Sequence, residues 1–249
     1  MNYIGIIVIL LLLLLLLVTF NNEYFTNTDL FDDLQIYAIN LKRRPDKREN
    51  IENELKKYNF EYIIYDAVDG RELDLDKMIG EEQINATNRL RNTEYGCYFS
   101  HINVWNDFLK TNKKYCLILE DDAVFNYDFK NKLYTLLYDL NRKENENVDG
   151  VYINDNARCY RFFGNDCNNK EIVPTMNFVN KSKYLGYGMY GYVMTRNGIN
   201  KTLPYTIPIT TQIDVLMHNL NYEGKITIYK TVDPFITVRS LVDSDTQKE

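Results

Sequence analysis

Three consecutive carboxylates, Glu120, Asp121 and Asp122, follow directly on the short apolar run of residues 115–119. A buried strand that ends in acids opens into the crevice at the carboxyl edge of an α/β sheet, where such sheets bind ligands. Adjacent carboxylates repel one another, and their oxygen atoms suit a divalent cation such as Mn²⁺ or Mg²⁺. No Cys or His stands beside them in the sequence, which argues against zinc. The alternative is a strand end capped by solvated acids.

Side chains alternate along an extended strand, so Glu120 and Asp122 are expected to face one side and Asp121 the other. We therefore predict that Glu120 and Asp122 bind the metal, while Asp121 contacts the bound ligand or shapes the turn. If the strand already ends at Glu120, the turn resets this alternation.

A second candidate site lies at the start of a helix predicted for residues 46–58. The loop before it carries Arg43 and Arg44, Pro45 stands where a helix begins, and Arg48 falls in the first turn. Basic side chains at a helix N-terminus are typical of phosphate binding, so we predict that these arginines contact a diphosphate. A solvated, charged helix start explains them equally well.

The elements around these sites predict a single α/β domain. Strands over residues 35–41 and 62–65 flank the helix, and this strand–helix–strand order gives a βαβ unit with parallel strands. Residues 71–91 lack periodicity and read as a long surface loop, while aromatic and leucine spacing predicts a covering helix over residues 125–140. Alternating glycine and aromatic residues over 184–194 predict a strand packed closely against another strand or a flat ligand.

Composition and the N-terminus set the wider organisation. The 249 residues, 45% of them hydrophobic, suit one domain, and the net charge of −6 argues against a nucleic-acid surface. Residues 3–20 form an unbroken apolar run, long enough for a transmembrane anchor. Basic residues are missing just after it, which favours a type II, single-pass protein with its body lumenal or otherwise non-cytosolic. Residues 21–33 then form a stem, 34–240 the catalytic domain, and 241–249 a flexible tail.

The cysteines do not suggest a zinc motif by their spacing. Cys159 and Cys167 are eight residues apart, and would form a disulfide in a lumen or remain thiols in a reducing compartment. Cys97 and Cys116 are interpreted as small buried residues.

The order of these motifs resembles glycosyltransferase family 25, which includes lipopolysaccharide-biosynthesis transferases and collagen β-galactosyltransferases. The family's opening Ile-Asn-Leu and basic stretch are similar to residues 39–48, its Asp-Gly turn to Asp69 and Gly70, and its Glu-Asp-Asp to residues 120–122. Its Gly-Glu-x-Gly-Cys-x-x-Ser-His-x-x-x-Trp signature matches at Glu94, Gly96, Cys97, Ser100, His101 and Trp105. Thr93 stands where the family has glycine, and Ile199 replaces the alanine of a later segment.

The resemblance implies a single GT-A type, Rossmann-like domain with a mostly parallel sheet that binds a nucleotide sugar. It implies inverting transfer of galactose or glucose from a UDP-sugar to a hydroxyl of a glycan, lipid-linked saccharide or protein, with Mn²⁺ or Mg²⁺ at the acidic motif. The donor residues are then expected to be Asn40, Arg43, Arg44, Arg48, Asp69, Gly70 and Asp121.

Attack by a neutral hydroxyl needs a general base, for which we predict Asp214, with Glu94, His101 and Asp155 as alternatives. The helix dipole alone would also favour an acid at Asp214, and a lone histidine such as His101 is often a satisfied helix residue. Three other functions remain open. They are an inactive transferase-like membrane protein that binds sugar or a partner, a metal-dependent phosphohydrolase or nucleotidyl transferase, and a structural anchor.

Overall fold

The structure is a computed structural model, which describes residues 30–154, 170–172, 176–177, 179–182, 184–238 and 245. Its strands are β1 (Leu34–Asn40), β2 (Ile63–Asp66), β3 (Tyr115–Glu120), β4 (Ala123–Phe125), β5 (Gly150–Tyr152), β6 (Lys170–Ile172), β7 (Val179–Ser182), β8 (Gly191–Thr195), β9 (Ile228–Thr231) and β10 (Ile236–Val238). Its helices are α1 (Pro45–Lys56), α2 (Leu75–Gly80), α3 (Asn92–Leu109), α4 (Phe129–Leu140), α5 (Arg196–Thr202) and α6 (Ile213–Tyr222).

Eight strands form one mixed sheet in the order β2-β1-β3-β8-β5-β9-β7-β6. β1 pairs in parallel with both β2 and β3, as the βαβ pattern predicted, and β5 pairs in parallel with β9. β8 runs antiparallel to β3 and β5, and β7 runs antiparallel to β9 and β6. Six of the eight strands therefore point in one direction, which confirms the mostly parallel central sheet.

Helices cover both faces of this sheet because its central strands are apolar on both sides. From β3, Leu117 and Leu119 pack into one hydrophobic core with Ile51 of α1 and Leu133 of α4. Cys116 and Ile118 point to the opposite core, with residues of α3 and α6 that include Trp105, Phe108 and Met217. The two cores fix β1 and β3 at the centre, so that their carboxyl ends are held side by side.

Local predictions that depended on distant partners were wrong in part. The helix predicted for residues 125–140 begins only at Phe129, since residues 123–125 form β4 and pair antiparallel with β10. The glycine-aromatic strand is limited to Gly191–Thr195, and residues 184–190 run as a loop in which Gly186 and Gly188 have positive φ. The surface loop after Gly70 contains the short helix α2.

The predicted membrane anchor over residues 3–20 lies outside the described residues, as does the stem from residue 21 to 29. Within the part of the chain that the structure describes, we find no helix that is both long and apolar enough to cross a membrane.

Candidate functional site

A cleft of about 750 Å³ opens at the carboxyl ends of β1 and β3. Its walls come from the loops after these strands, from the start of α3, from the loop before β8 and from the start of α6. The cleft brings together most of the side chains predicted from the sequence: Arg43, Asp69, Gly70, Glu94, His101, Glu120, Asp121, Asp122 and Asp214. It is therefore the position at which open α/β sheets bind ligands.

The acidic triplet does not alternate as an extended strand would. β3 ends at Glu120, and Asp121 and Asp122 lie in the following turn, so all three carboxylates line the cleft. Asn40, at the end of β1, donates a hydrogen bond of 2.7 Å to Oδ2 of Asp121 and so fixes its side chain. Asn40 itself is buried and is not part of the cleft wall; it supports Asp121 instead.

Burial makes two of these acids hard to ionise. Burial and the nearby charge of Glu120 raise the pKa of Asp122 to about 7. Burial also raises the pKa of Asp121 to about 6, although the charge of Lys47 and the hydrogen bond from Asn40 act in the opposite direction. A cation placed against them would remove this penalty.

The triplet fits a divalent cation by two observations. Its donor atoms are carboxylate oxygens, which are the ligands of Mg²⁺ and Mn²⁺. In addition, the Oδ1 atom of Asp122 is buried and accepts no hydrogen bond from any described residue. A buried oxygen without a donor is costly, and a metal ion would satisfy it.

Three basic side chains at the start of α1 converge on one carboxylate from the C-terminal region. Asp245 accepts hydrogen bonds from Arg43 at 2.8 Å and from Arg44 at 2.6 Å, and Lys47 Nζ lies 3.1 Å from the same group. We call Arg43, Arg44 and Lys47 the basic cradle. Burial would raise the pKa of Asp245, but the hydrogen bonds from Lys47 and Arg43 lower it below its ordinary value. The cradle therefore favours an anion.

Lys47 was missed as a site residue, and Arg48 was predicted in its place. Lys47 shares one face of α1 with the buried Ile51 and Leu55, at spacings of four residues, and its Nζ lies 3.7 Å from Asp121. Arg48 lies outside the cleft wall, and pairs with Glu52 at 2.8 Å on the exposed face. The 3.6-residue period of the helix was the signal that could have separated them.

The Asp-Gly turn and the start of α3 are packed backbone to backbone. A Cβ atom on Gly70 would lie 1.7 Å from the carbonyl oxygen of Asn92, and one on Gly96 would lie 2.6 Å from Gly70. Ser100 stabilises the same contact, because its hydroxyl oxygen accepts a hydrogen bond of 2.9 Å from the backbone N–H of Val68. These glycines are required because the two segments touch.

Asp69, in this turn, orients Arg43 of the basic cradle. Its carboxylate accepts from Arg43 Nε at 2.9 Å and from the Arg71 side chain at 2.9 and 2.5 Å. The hydrogen bonds from Arg71 and Arg43 lower the pKa of Asp69 well below its ordinary range. Asp69 is thus a permanent anion that holds Arg43 at the cleft.

Glu94 is occupied by its own helix terminus. Its Oε2 accepts from Arg91 N at 2.8 Å, which forms a capping box at the start of α3, and its Oε1 accepts from Gln212 at 3.3 Å. Burial raises the pKa of Glu94, but the bonds from Arg91 and Gln212 lower it overall. A carboxylate with a lowered pKa, held in this way, is a weak candidate for the base.

Asp214 lines the cleft from the first turn of α6. Gly188 N donates to its Oδ2 at 2.9 Å and Val215 N donates to its Oδ1 at 2.8 Å. The two backbone donors fix the orientation of the carboxylate at the cleft wall. Asp155, the remaining alternative for the base, lies outside the described residues, as do Cys159 and Cys167.

A histidine and a cysteine that are distant from the acidic triplet in the sequence lie close to Glu120 in the structure. His101 is buried on α3, its Nδ1 lies 2.8 Å from the Tyr192 hydroxyl, and its Nε2 lies 3.6 Å from Glu120. Cys97, one turn earlier, also lines the cleft and is a free thiol. The sequence did not predict that Cys97 and His101 lie near Glu120, because they are distant along the chain and meet only where α3 packs across the end of β3.

Comparison with known proteins agrees with these motifs. The family model for glycosyltransferase family 25 (LPS biosynthesis protein) matches residues 33–217. Procollagen galactosyltransferase 2 of Mus musculus is 31% identical over 118 residues, which cover 44% of this chain and 19% of that protein. Inactive glycosyltransferase 25 family member 3 of Homo sapiens is 29% identical over 127 residues, which cover 48% of this chain and 21% of that protein.

A solved structure covers more of the chain at lower identity. The crystal structure of a glycosyltransferase involved in the glycosylation of the major capsid of PBCV-1 covers 86% of this chain and 95% of its own, with 9% identity and a TM-score of 0.41. The chain spans only about a fifth of the length of the two curated relatives named above. The family model, by contrast, matches well over half of the chain, from β1 into α6, and the chain belongs to glycosyltransferase family 25.

Proposed function

We propose that this chain is a metal-dependent, inverting glycosyltransferase that transfers a hexose, galactose or glucose, from a UDP-sugar to a hydroxyl group. The observation that carries the proposal is that Arg43 and Lys47 of the basic cradle, the acidic triplet and the separate carboxylate of Asp214 all line one cleft. Membership of glycosyltransferase family 25 supports the reaction class. The names of the galactosyltransferase relatives support galactose as the first donor to test.

The charges of the cleft support a need for a cation. Seven carboxylates line it against three cationic side chains, a formal charge of −4. A nucleoside diphosphate adds further negative charge, and repulsion in a partly buried site is strong. Glu120 and Asp122 would hold Mn²⁺ or Mg²⁺, which when bound would neutralise the negative charge of the leaving diphosphate. Asp121 is engaged instead by Asn40 and lies near Lys47.

The other cleft residues would bind the diphosphate and accept the proton of the acceptor hydroxyl. Arg43 and Lys47 reach the cleft and would bind the diphosphate oxygens, with Arg43 oriented by Asp69. Asp245 contacts Arg43 and Lys47 in the structure, and the diphosphate of the donor would displace it. Asp214 would accept the proton of the acceptor hydroxyl as it attacks, since its carboxylate is oriented into the cleft by Gly188 and Val215.

The direct test is release of UDP by the purified full-length chain from a panel of UDP-sugars, with Mn²⁺ and with an excess of chelator. UDP release with one hexose that requires both Mn²⁺ and an added acceptor supports the proposal. Equal release without an acceptor would instead assign a hydrolase. Metal-dependent donor binding with no turnover on any acceptor would favour the inactive alternative, which the name of one human relative makes worth testing.

We also propose that residues 3–20 anchor the chain in a membrane with the catalytic domain on the non-cytosolic side, and that the acceptor is a glycan, lipid-linked saccharide or protein found there. The length of the apolar run and its flanking charges support this orientation. Protection of the domain from protease in sealed vesicles tests it, and digestion without detergent would reverse the orientation.

A further inference from the structure

Cys97, His101 and Glu120 form a compact group of three different metal-binding side chains. One ligand atom from each, the thiol sulfur, an imidazole nitrogen and a carboxylate oxygen, lies within 4.8 Å of the other two. Cys97 and His101 are one turn apart on the same face of α3, and Glu120 ends β3. All three line the cleft, so an ion could reach them from solvent.

From this geometry we propose that Cys97, His101 and Glu120 form a second metal site, which takes a borderline ion such as Zn²⁺ and does not depend on the proposed transfer reaction. Thiolate, imidazole and carboxylate together are typical zinc ligands, whereas Mn²⁺ and Mg²⁺ prefer oxygen alone. Solvent-accessible zinc sites usually have three protein ligands and a fourth coordination position that is open, and a site at this cleft would have the same arrangement.

The histidine is already oriented for this role. Its Nδ1 is engaged by the Tyr192 hydroxyl at 2.8 Å, so that Nε2 is the nitrogen directed toward Glu120. Trp105 Nε1 also donates to the Tyr192 oxygen, at 3.1 Å, and fixes that hydroxyl in the core. With a metal on Nε2, the ring would donate Nδ1–H to Tyr192, which is the outer hydrogen bond that metal-bound histidines usually make.

Small side-chain shifts would complete the site. Metal–ligand bonds of about 2.0–2.3 Å in a tetrahedron place ligand atoms about 3.3–3.7 Å apart. His101 Nε2 and Glu120 are already at 3.6 Å, so only the longer separations in the group must close, by about 1 Å. Binding would also release the thiol proton of Cys97, because the thiolate is the ligand.

The experiment is a titration of the full-length, reduced chain with Co²⁺ and then Zn²⁺, followed by absorption spectroscopy. We expect the absorption of a cobalt–thiolate bond, its loss on adding Zn²⁺, and its absence in Cys97→Ser. We expect Cys97→Ser and His101→Gln each to weaken Zn²⁺ binding by at least about 100-fold, beyond the 10–100-fold effect of outer-shell changes. The paired variant Cys159→Ser/Cys167→Ser is the thiol control and should keep the band.

Asp122→Asn separates this site from the acidic triplet, which shares Glu120 with it. That variant should keep the cobalt–thiolate band and bind Zn²⁺ within about threefold of the wild type, since Asp122 is not a ligand here. Zn²⁺ binding that is lost in Asp122→Asn and kept in Cys97→Ser would assign the ion to the triplet and overturn the proposal. A wild-type chain without a thiolate band would overturn it as well, whether or not the variants fold.

Discussion

Replacing Asp122 by asparagine is expected to stabilise the metal-free protein near neutral pH, although Asp122 lies in the candidate active site. Burial and the charge of Glu120 raise its pKa from the ordinary 3.8 to about 7. Between these two values the folded chain holds a proton that the unfolded chain has lost. The free energy of unfolding therefore falls as pH rises from about 4 to about 7, and stays low above that.

The size of the effect follows from the same pKa change. A move from 3.8 to about 7 corresponds to about 4 kcal/mol between the protonated and ionised forms. Asparagine removes the buried charge, but its amide group is itself polar and buried. We therefore expect the variant to recover only part of that difference of about 4 kcal/mol. Asp122→Asn should then gain about 2 kcal/mol at about pH 8, gain almost nothing at about pH 4, and flatten the pH dependence between them.

Urea unfolding in excess chelator, followed by circular dichroism at several pH values, measures this directly. Asp233→Asn is the matched control, because Asp233 is exposed, and its effect should stay within about 0.5 kcal/mol. Added Mn²⁺ should stabilise the wild type at neutral pH by about 2.7 kcal/mol at one hundred times its dissociation constant, and the variant far less. A variant that is less stable than the wild type at about pH 8 without metal would refute the reasoning.

Three further predictions follow from the packing and charges of the cleft. Gly70→Ala should cost about 3 kcal/mol or more in thermal unfolding, because its Cβ would meet the backbone of Asn92, whereas Gly80→Ala, with no atom within 4 Å, should be neutral or slightly stabilising. Asp245→Asn should tighten the binding of inorganic pyrophosphate by about tenfold in calorimetry, because the variant loses about 1.4 kcal/mol of ion pairing that competes with the anion for the basic cradle. Weaker binding would show that Asp245 organises the cradle instead. Asp214→Asn should lower turnover by about 10²- to 10⁴-fold with donor affinity unchanged, and near-normal turnover would move the base elsewhere.

The sequence was most informative where local patterns decide the structure. The apolar run before Glu120 forms the predicted central strand, and the strand–helix–strand order after residue 34 gives the predicted parallel pairing of β1 and β2. Such features depend on residues within a few positions, so one sequence is enough to find them.

What the sequence did not reveal depends on contacts between distant segments. β4 exists because residues 123–125 pair with residues 236–238, more than a hundred positions later. Cys97 and His101 meet Glu120 only after α3 packs on the sheet, and Asp245 reaches the basic cradle from about two hundred residues away. Lys47 was different, since its spacing from Ile51 and Leu55 was visible and would have placed it on the buried face of α1.

Charge is the property that ties the parts of the cleft together. A cleft lined by seven carboxylates and three cations should repel a free diphosphate, yet its basic cradle holds an anion already, in the form of Asp245. A donor that displaces Asp245 leaves this carboxylate without its partners, and a divalent cation at the triplet would offset both that loss and the charge of the donor. If the cation strengthens donor binding by a given factor, the donor must strengthen cation binding by the same factor. Metal and nucleotide are thus expected to enter this cleft as a pair, each weakly bound without the other.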